Sequence, residues 1–110
     1  MNWEVNYLPE ALKDLKSLAG NQSLLVQKAI KKVQQNPLPE SEGGYGKPLG
    51  NKSGTNLTNF LKIKLRSAGI RIVYKLERTE HGMLVVVIGV REDDVVYQDA
   101  KKRIIKHDLR

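Results

Sequence analysis

Six side chains in this sequence combine types and positions that suit chemistry on a phosphate group. Five are cations, mostly in two neighbouring predicted strands, and the sixth is a tyrosine. Fixed Arg and Lys donors stabilise negative charge that develops on phosphate oxygens, and Arg clamps a phosphate through two parallel hydrogen bonds. Clustered positive charge also lowers the pKa of a lysine, which makes it a usable base near neutral pH. The six residues are Lys62, Lys64, Arg66, Arg71, Arg91 and Tyr97.

Such a set suits cleavage of RNA without a metal ion. RNA carries its own nucleophile, the 2′-hydroxyl, so an enzyme has to deprotonate it, hold the phosphate in line and protonate the leaving 5′ oxygen. The sequence has no cysteine, its two histidines lack metal-ligand spacing, and no glycine motif for nucleotide phosphates is present. We therefore expect neither a metal ion nor a cofactor. The alternative interpretation is that Arg91 is a surface residue at a strand end and Tyr97 a packed helix residue.

Residues 59–76 predict the two strands that carry most of these cations. Apolar residues alternate with cations in the first strand, and Ser67–Gly69 connects it to a similar second strand. Because successive side chains point to opposite faces of a sheet, pairing the two strands puts five cations on one exposed face. Like charges on neighbouring strands oppose pairing, and a bound polyanion would offset that cost. The five cations are Lys62, Lys64, Arg66, Arg71 and Lys75.

The net charge of +7 is concentrated in the middle of the chain. No acidic residue occurs between Glu42 and Glu77, and seven of the 19 Lys and Arg lie there, which leaves 12 cations against 12 acidic residues elsewhere. A concentrated basic field indicates a nucleic acid or an acidic protein as partner, the alternative being a solvated face without a partner. The candidate RNA-binding residues in this region are Lys47, Lys52, Arg66 and Lys75.

The whole sequence predicts one α+β domain over residues 1–110, with the element order β-α-α-β-β-β-α and a small, mostly antiparallel sheet. Apolar residues at helical spacing predict two helices, the first beginning at Pro9 and the second ending at Asn36–Pro37. We expect this hairpin on one sheet face and the basic surface on the other. The other predicted elements are a strand at Trp3–Tyr7, a loop at Pro37–Gly54 with at most a short extended piece at Tyr45–Leu49, a strand at Met83–Val90 buried on both faces, and a weakly packed helix at Val95–His107 capped by Asp93 or Asp94.

The composition and the N-terminal residues bear on where the protein works. Hydrophobic residues make up 40% of the sequence, which predicts a folded chain. The N-terminal residues lack the basic and apolar regions of a signal peptide, and no apolar run is long enough to span a bilayer. We therefore expect a cytoplasmic protein with no membrane partner.

Two motifs resemble those of the RelE/ParE superfamily of bacterial toxins, and specifically of its RelE branch. They are KIKLRSAGIRIVYKL, at residues 62–76, and VIGVREDDVVYQDAKKRI, at residues 87–104. The segment Lys47–Gly50 is similar to one that precedes the basic strands of the family. The resemblance implies a RelE-like, microbial RNase-type fold. It also implies a toxin of a type II toxin–antitoxin system that cuts mRNA in the ribosomal A site.

The resemblance further implies roles for single residues. Lys62 and Lys64 match two strand lysines that stabilise charge, and one of them is a candidate base, although which group is the base stays open. Arg71 matches an arginine that grips the scissile phosphate. Arg91 matches one that stabilises the transition state and serves the leaving group. Tyr97 matches a tyrosine that stacks on a base or takes part in proton transfer, and the implied products are a 2′,3′-cyclic phosphate and a 5′-hydroxyl.

The partners implied by the resemblance are mRNA, the ribosome with its RNA, and a small acidic antitoxin. The antitoxin would wrap the toxin, displace the C-terminal helix and form a hetero-oligomeric complex. The acidic run Glu92–Asp94 departs from what a reader of ribosomal RNA would carry. Two alternatives share the fold: a ParE-like inhibitor of DNA gyrase, and a catalytically silent module that binds nucleic acid or antitoxin. The joint presence of all five candidate catalytic residues favours the nuclease.

Overall fold

The structure, a computed structural model, describes residues 3–52, 55–90 and 92–109. Its helices and strands, in chain order, are β1 (Glu4–Tyr7), α1 (Pro9–Ser17), α2 (Gly20–Val33), β2 (Lys47–Lys52), β3 (Thr55–Leu65), β4 (Ile70–Glu77), β5 (Gly82–Gly89) and α3 (Asp93–Lys106). Single helical turns connect β3 to β4 and β4 to β5. The predicted α+β class is confirmed, with one strand more than the sequence predicted.

The five strands form one mixed sheet in the order β1-β5-β4-β3-β2. β1 runs parallel to β5, whereas the other neighbouring strands are antiparallel. β5 lies between β1 and β4, and six of its eight residues are buried. A run of β-branched residues without alternation is typical of a strand covered on both faces, so the interior position predicted for this segment is confirmed.

The additional strand, β2, occupies part of the segment that was predicted to be a loop. It pairs with β3 across a register shift between Pro48 and Gly50. Leu49 is 3% exposed and Leu57 is fully buried, so burial of these side chains stabilises the pair. The sequence pattern did not reveal β2, because Pro48 and Gly50, with φ of +60°, interrupt the alternation. Both residues are tolerated in an edge strand, which has one unpaired side.

The helical hairpin expected near the N-terminus is present. α1 contacts β5 and α2 contacts β3, so the two helices pack against the sheet at different strands. The buried side chains of α2 are spaced four and three residues apart, which is one face of a helix. They are Val26, Ile30 and Val33, and they belong to the same hydrophobic core as Ile63 and Ile72.

The third helix, α3, covers part of the sheet face that was predicted to be solvated and basic. Gly89 of β5 lies opposite Arg71 of β4, and a Cβ added at Gly89 would be 2.7 Å from Cγ2 of Val96 in α3. Phe60 is 3% exposed and Val73 is fully buried at positions that alternate with the cations. The prediction of a uniformly exposed basic face is therefore wrong, because this face has an apolar centre that a helix covers.

The packing of α3 is also firmer than its sequence predicted. Four side chains on one face of the helix are at most 3% exposed, namely Val96, Tyr97, Ala100 and Ile104. An ion pair between Arg103 and Asp14, 2.6 Å apart, ties the helix to α1. These contacts determine where the N-terminal end of α3 lies over β3 and β4, which is where the functional residues are found.

Candidate active site

Three cations on the hairpin of β3 and β4 form what we call the cationic cluster: Lys62, Lys64 and Arg71. Lys64 lies directly opposite Arg71, and Lys62 is two residues from Lys64 on the same face of β3. Directly opposed residues have Cβ atoms about 5 Å apart, so Lys64 and Arg71 can contact the same phosphate group. All three side chains are half-buried, as expected beneath the start of a covering helix.

The turn between the two strands orients the Arg71 side chain. Residues Arg66–Ala68 form a single helical turn, and Gly69 follows with φ of +66°, a conformation that glycine adopts without steric cost. Nη1 of Arg71 donates a hydrogen bond to the carbonyl oxygen of Gly69 at 3.0 Å. The Arg71 side chain is only 20% exposed, so its guanidinium is oriented before any ligand binds.

A carboxylate that was not predicted as a site residue lies within the cationic cluster. Asp93, the first residue of α3, accepts a hydrogen bond from Nε of Arg71, and its Oδ2 is 3.7 Å from Nζ of Lys64. Burial acts to raise the pKa of Asp93. The hydrogen bond and charge of Arg71, together with the charges of Lys64 and Lys62, outweigh burial and lower the pKa. The carboxylate is therefore ionised at neutral pH.

The position of Asp93 differs from the capping role that was predicted for it or for Asp94. Glu92 is the N-cap residue of α3 and makes no side-chain capping bond, whereas both aspartates lie in the first turn. The acidic run within a basic motif was the only feature of the sequence that indicated a carboxylate near the cationic cluster. Its contact with Arg71, 22 residues away, depends on how α3 packs on the sheet.

Tyr97 lies one helical turn after Asp93, on the same side of α3. Its side chain is buried, and the residue is 3% exposed. Burial raises the pKa of Tyr97, the charge of Asp93 adds to this effect, and the charge of Arg71 opposes it. The hydroxyl is therefore protonated at neutral pH and can donate a proton. Because the residue is 3% exposed, little of the side chain is accessible, and the two roles predicted for Tyr97, base stacking and proton transfer, both stay predictions.

Two further predicted residues, Lys47 and Arg66, differ in their position relative to the cationic cluster. Lys47 of β2 is paired with Lys62 across the strands and continues the row of cations toward the edge of the sheet. Arg66 is exposed, but it lies in the turn after β3 and not on the strand where it was predicted. The structure thus brings Lys47 to the cluster and leaves Arg66 at the tip of the hairpin.

Of the three remaining predicted site residues, Lys75 lies apart from the cationic cluster. Lys75 lies four residues from Arg71 along β4, which is about 13 Å, and its Nζ is 3.7 Å from Oε2 of Glu77. Arg91 lies outside the described residues, and so does the side chain of Lys52. The roles predicted for Arg91 and Lys52 therefore stay predictions.

Two cavities lie near the functional face. One of about 220 Å³ opens at the edge of β3, and its polar lining consists of Lys32, Tyr45, Lys47, Lys62 and Lys64. A larger one of about 660 Å³ lies at the far end of the hairpin, next to Lys75 and Arg78. We place the candidate active site at the cationic cluster because phosphate chemistry needs convergent cations, whereas Lys75 and Arg78 beside the larger cavity are paired with Glu77 and Glu42.

The described part of the chain contains neither a cluster of potential metal ligands nor a helix that could span a membrane. Its His, Asp and Glu side chains form no group of three or more that could hold a metal ion. None of its helices is long and apolar enough to cross a membrane.

The fold and the site define a class: a small α+β protein with a cluster of cations on its central hairpin. No family model matches the chain. The mRNA interferase toxin RelE of Escherichia coli strain K12 is 30% identical to it over 105 residues, which cover 96% of this chain and 100% of that relative. The protein therefore belongs to the RelE family, as its motifs predicted.

Solved structures agree with this assignment. A double mutant of the E. coli toxin RelE in the free state superposes with a TM-score of 0.71 at 28% identity, covering 94% of this chain and 99% of that chain. A chain of the intact E. coli RelBE toxin–antitoxin complex gives a TM-score of 0.62 at 26% identity, covering 82% and 98%. The predicted RelE-like fold is thereby confirmed.

Proposed function

We propose that this protein is the toxin of a type II toxin–antitoxin system and cuts mRNA in the ribosomal A site. The observation that carries the proposal is the opposition of Lys64 and Arg71 on one sheet face, with Lys62 on the same face of β3. Tyr97 lies one helical turn after Asp93, which accepts a hydrogen bond from Arg71. A relative named as an mRNA interferase supports the same activity. In this proposal residues 1–110 act as one toxin domain in the cytoplasm, where ribosomes are found.

The proposed reaction is a transfer within the RNA strand. A base takes the proton of the 2′-hydroxyl, the 2′ oxygen attacks the adjacent phosphorus, and the bond from phosphorus to the 5′ oxygen breaks. The 5′ oxygen then takes up a proton, so the products are a 2′,3′-cyclic phosphate and a 5′-hydroxyl. No water is consumed in this step, which requires only positioned donors and acceptors.

Each residue of the site has a place in this reaction. Arg71 holds the scissile phosphate, and Lys62 and Lys64 stabilise the charge that develops on its oxygens. One of these lysines is the candidate base, and which group is the base stays open. The protonated hydroxyl of Tyr97 is the candidate donor to the 5′ oxygen. Arg91 keeps the transition-state role that its motif implies.

The proposed mechanism uses no metal ion, because fixed cations neutralise the phosphate. A model RNA separates the chemical step from the ribosome, which itself requires magnesium. Cleavage of that RNA should persist in EDTA. Loss of the cleavage on chelation, and its return with a divalent cation, would contradict the metal-free mechanism.

We also propose that the protein forms a hetero-oligomeric complex with a small acidic antitoxin. The likeness to a chain of the RelBE complex supports such a partner. An acidic partner would neutralise the cationic cluster, and displacement of α3 would alter the position of Tyr97. A ParE-like action on DNA gyrase and a silent binding module are the alternatives, and no feature of the described residues favours them over the nuclease.

The experiment that tests the proposal is primer extension on mRNA bound to bacterial ribosomes. Wild-type protein should produce cuts within A-site codons, and Arg71→Ala should lose about 100-fold or more of this activity. Arg78→Ala is the matched control, because Arg78 is an exposed arginine beyond the far end of β4, paired with Glu42. Intact mRNA with folded wild-type protein would contradict the proposal and would make a DNA supercoiling assay the next measurement.

A further inference from the structure

The cationic cluster already contains an anion that belongs to the protein itself. The two carboxylate oxygens of Asp93 face different members of the cluster: Oδ1 accepts from Nε of Arg71, and Oδ2 is 3.7 Å from Nζ of Lys64. These are the two residues whose opposition across the strands defines the phosphate site. An internal carboxylate therefore uses the donors that a substrate phosphate needs.

The helix holds this carboxylate in place. Asp93 begins α3, whose next turns bury Val96, Tyr97 and Ala100 against the sheet. The positive end of a helix dipole also stabilises an anion in its first turn. The Asp93 side chain is 38% exposed, so solvent and an incoming ligand can reach it without unfolding of the helix.

Carboxylate and phosphate compete for the same kind of donor. Both are bound by Arg through charge-assisted hydrogen bonds, and Lys binds either as a point charge. A phosphate that takes the Nε edge of Arg71 has to displace Asp93. The negative charge of Asp93 also cancels one of the three positive charges of the cluster, which weakens the attraction for any further anion.

We propose that Asp93 is a specificity-determining residue that competes with RNA phosphate for Arg71 and Lys64. RNA alone then binds weakly, and it enters the site only where additional contacts, such as those of a ribosome-bound message, offset the loss of the ion pairs. The ligand class rests on the proposed function, whereas the competition rests on the contacts of Asp93. The lowered pKa of Asp93 means that the competition persists throughout the neutral pH range.

A positioning role for Asp93 makes the opposite prediction. If the carboxylate served mainly to orient Arg71, its removal would loosen the guanidinium and weaken phosphate binding. Nη1 of Arg71 is also held by the carbonyl of Gly69 at 3.0 Å, which orients the side chain without Asp93. The competing role is therefore the one that the contacts favour.

The test compares Asp93→Asn with Asp94→Asn. Asn keeps the shape of the side chain, and both variants remove one negative charge from the same helical turn, so a general change in the electrostatic field is common to the two. The probe is a fluorescent RNA oligonucleotide with 2′-O-methyl groups, which cannot be cleaved. We expect Asp93→Asn to bind it roughly three- to tenfold more tightly than wild type, and Asp94→Asn to change the affinity less than about twofold. Equal effects of the two variants, or weaker binding by Asp93→Asn, would overturn the proposal.

Two further measurements keep the test decisive. Thermal unfolding shows whether Asp93→Asn is folded, and Asp93→Ser, which also removes the charge but leaves a small polar side chain, replaces it if it is not. Cleavage is then measured on free RNA and on ribosome-bound mRNA. We expect Asp93→Asn to gain cleavage of free RNA relative to wild type.

If no variant cleaves either RNA but Asp93→Asn still binds more tightly, the proposed function fails and the role of Asp93 stands. If ribosome-bound mRNA is cut but Asp93→Asn does not change the binding of RNA, the proposed function stands and the role of Asp93 fails.

Discussion

Arg103 of α3 donates hydrogen bonds to both carboxylate oxygens of Asp14 in α1, at 2.6 and 3.3 Å. The same guanidinium donates to the carbonyl of Val86 at 2.9 Å, and Asp14 accepts from the N–H of Ile88 at 3.0 Å. These two backbone groups belong to the part of β5 beyond its pairing with β1, which ends at Val85. The ion pair therefore completes the edge of the sheet and holds α3 over the cationic cluster.

Removal of Arg103 should destabilise the protein markedly. Arg103→Ala removes the charged partner of the mostly buried Asp14 carboxylate and the hydrogen bond to the carbonyl of Val86. We expect the free energy of unfolding to fall by about 2–3 kcal/mol. Urea denaturation measures this change, provided that the slope of the transition is unaltered. Lys102→Ala, at an exposed position of the same helix, should stay within about 0.5 kcal/mol of wild type. An equal fall in the free energy of unfolding for both variants would show that the ion pair contributes nothing.

The far end of α3 should confer a pH-dependent stability. Glu10 of α1 accepts hydrogen bonds from His107 and Lys106, each at 3.0 Å, and these lower the pKa of Glu10 to about 2 from an ordinary value of 4.5. Because the folded value is the lower one, the contribution is complete above about pH 4.5 and is lost as the pH falls toward 2. Since Lys106 is 68% exposed, solvent screening limits the effect to about 1 kcal/mol.

Glu10→Gln isolates this contribution. The variant should be less stable than wild type at pH 6, and the difference should disappear near pH 2. Chemical denaturation at several pH values measures both curves. A difference that is independent of pH would mean that the glutamate acts through packing rather than through its charge.

The close contact between Gly89 and Val96 should make the position of α3 sensitive to a single methyl group. A Cβ at Gly89 would lie 2.7 Å from Cγ2 of Val96, so Gly89→Ala should cost about 1–3 kcal/mol by overpacking. The double variant Gly89→Ala with Val96→Ala should cost less than the sum of the two single changes, because the second removes the atom that clashes. Strict additivity in thermal unfolding would argue against direct contact between these residues.

The sequence allowed us to predict which residues of the central hairpin share a face, apart from Arg66, but not what covers that face. Alternation of Lys62 and Lys64 with apolar residues specifies which side chains share a face, because the period of a strand is two. The cover provided by α3 could not be deduced, because Val73 occupies a cation position in the pattern and its burial becomes visible only when the helix is in place. The contact of Asp93 with Arg71 follows from that packing, so it was hidden for the same reason.

The hydroxyl of Tyr97 should matter for the chemical step and not for the fold. Tyr97→Phe keeps the buried ring and removes only the group proposed to protonate the 5′ oxygen. We expect the rate of cleavage of ribosome-bound mRNA to fall by about 100-fold or more, with little change in affinity for an uncleavable RNA. Single-turnover cleavage and equilibrium binding measure the two quantities separately.

Tyr74→Phe is the matched control for this prediction. The hydroxyl of Tyr74 donates to the carbonyl of Pro37 at 2.6 Å. Its side chain lies on the opposite face of β4 from Arg71, so it is separated from the phosphate donors by the sheet. Its loss should lower stability by about 1 kcal/mol and leave the single-turnover rate unchanged. A Tyr97→Phe variant that cleaves as fast as Tyr74→Phe would identify Tyr97 as a packing residue and would leave the proton of the 5′ oxygen to another group of the site.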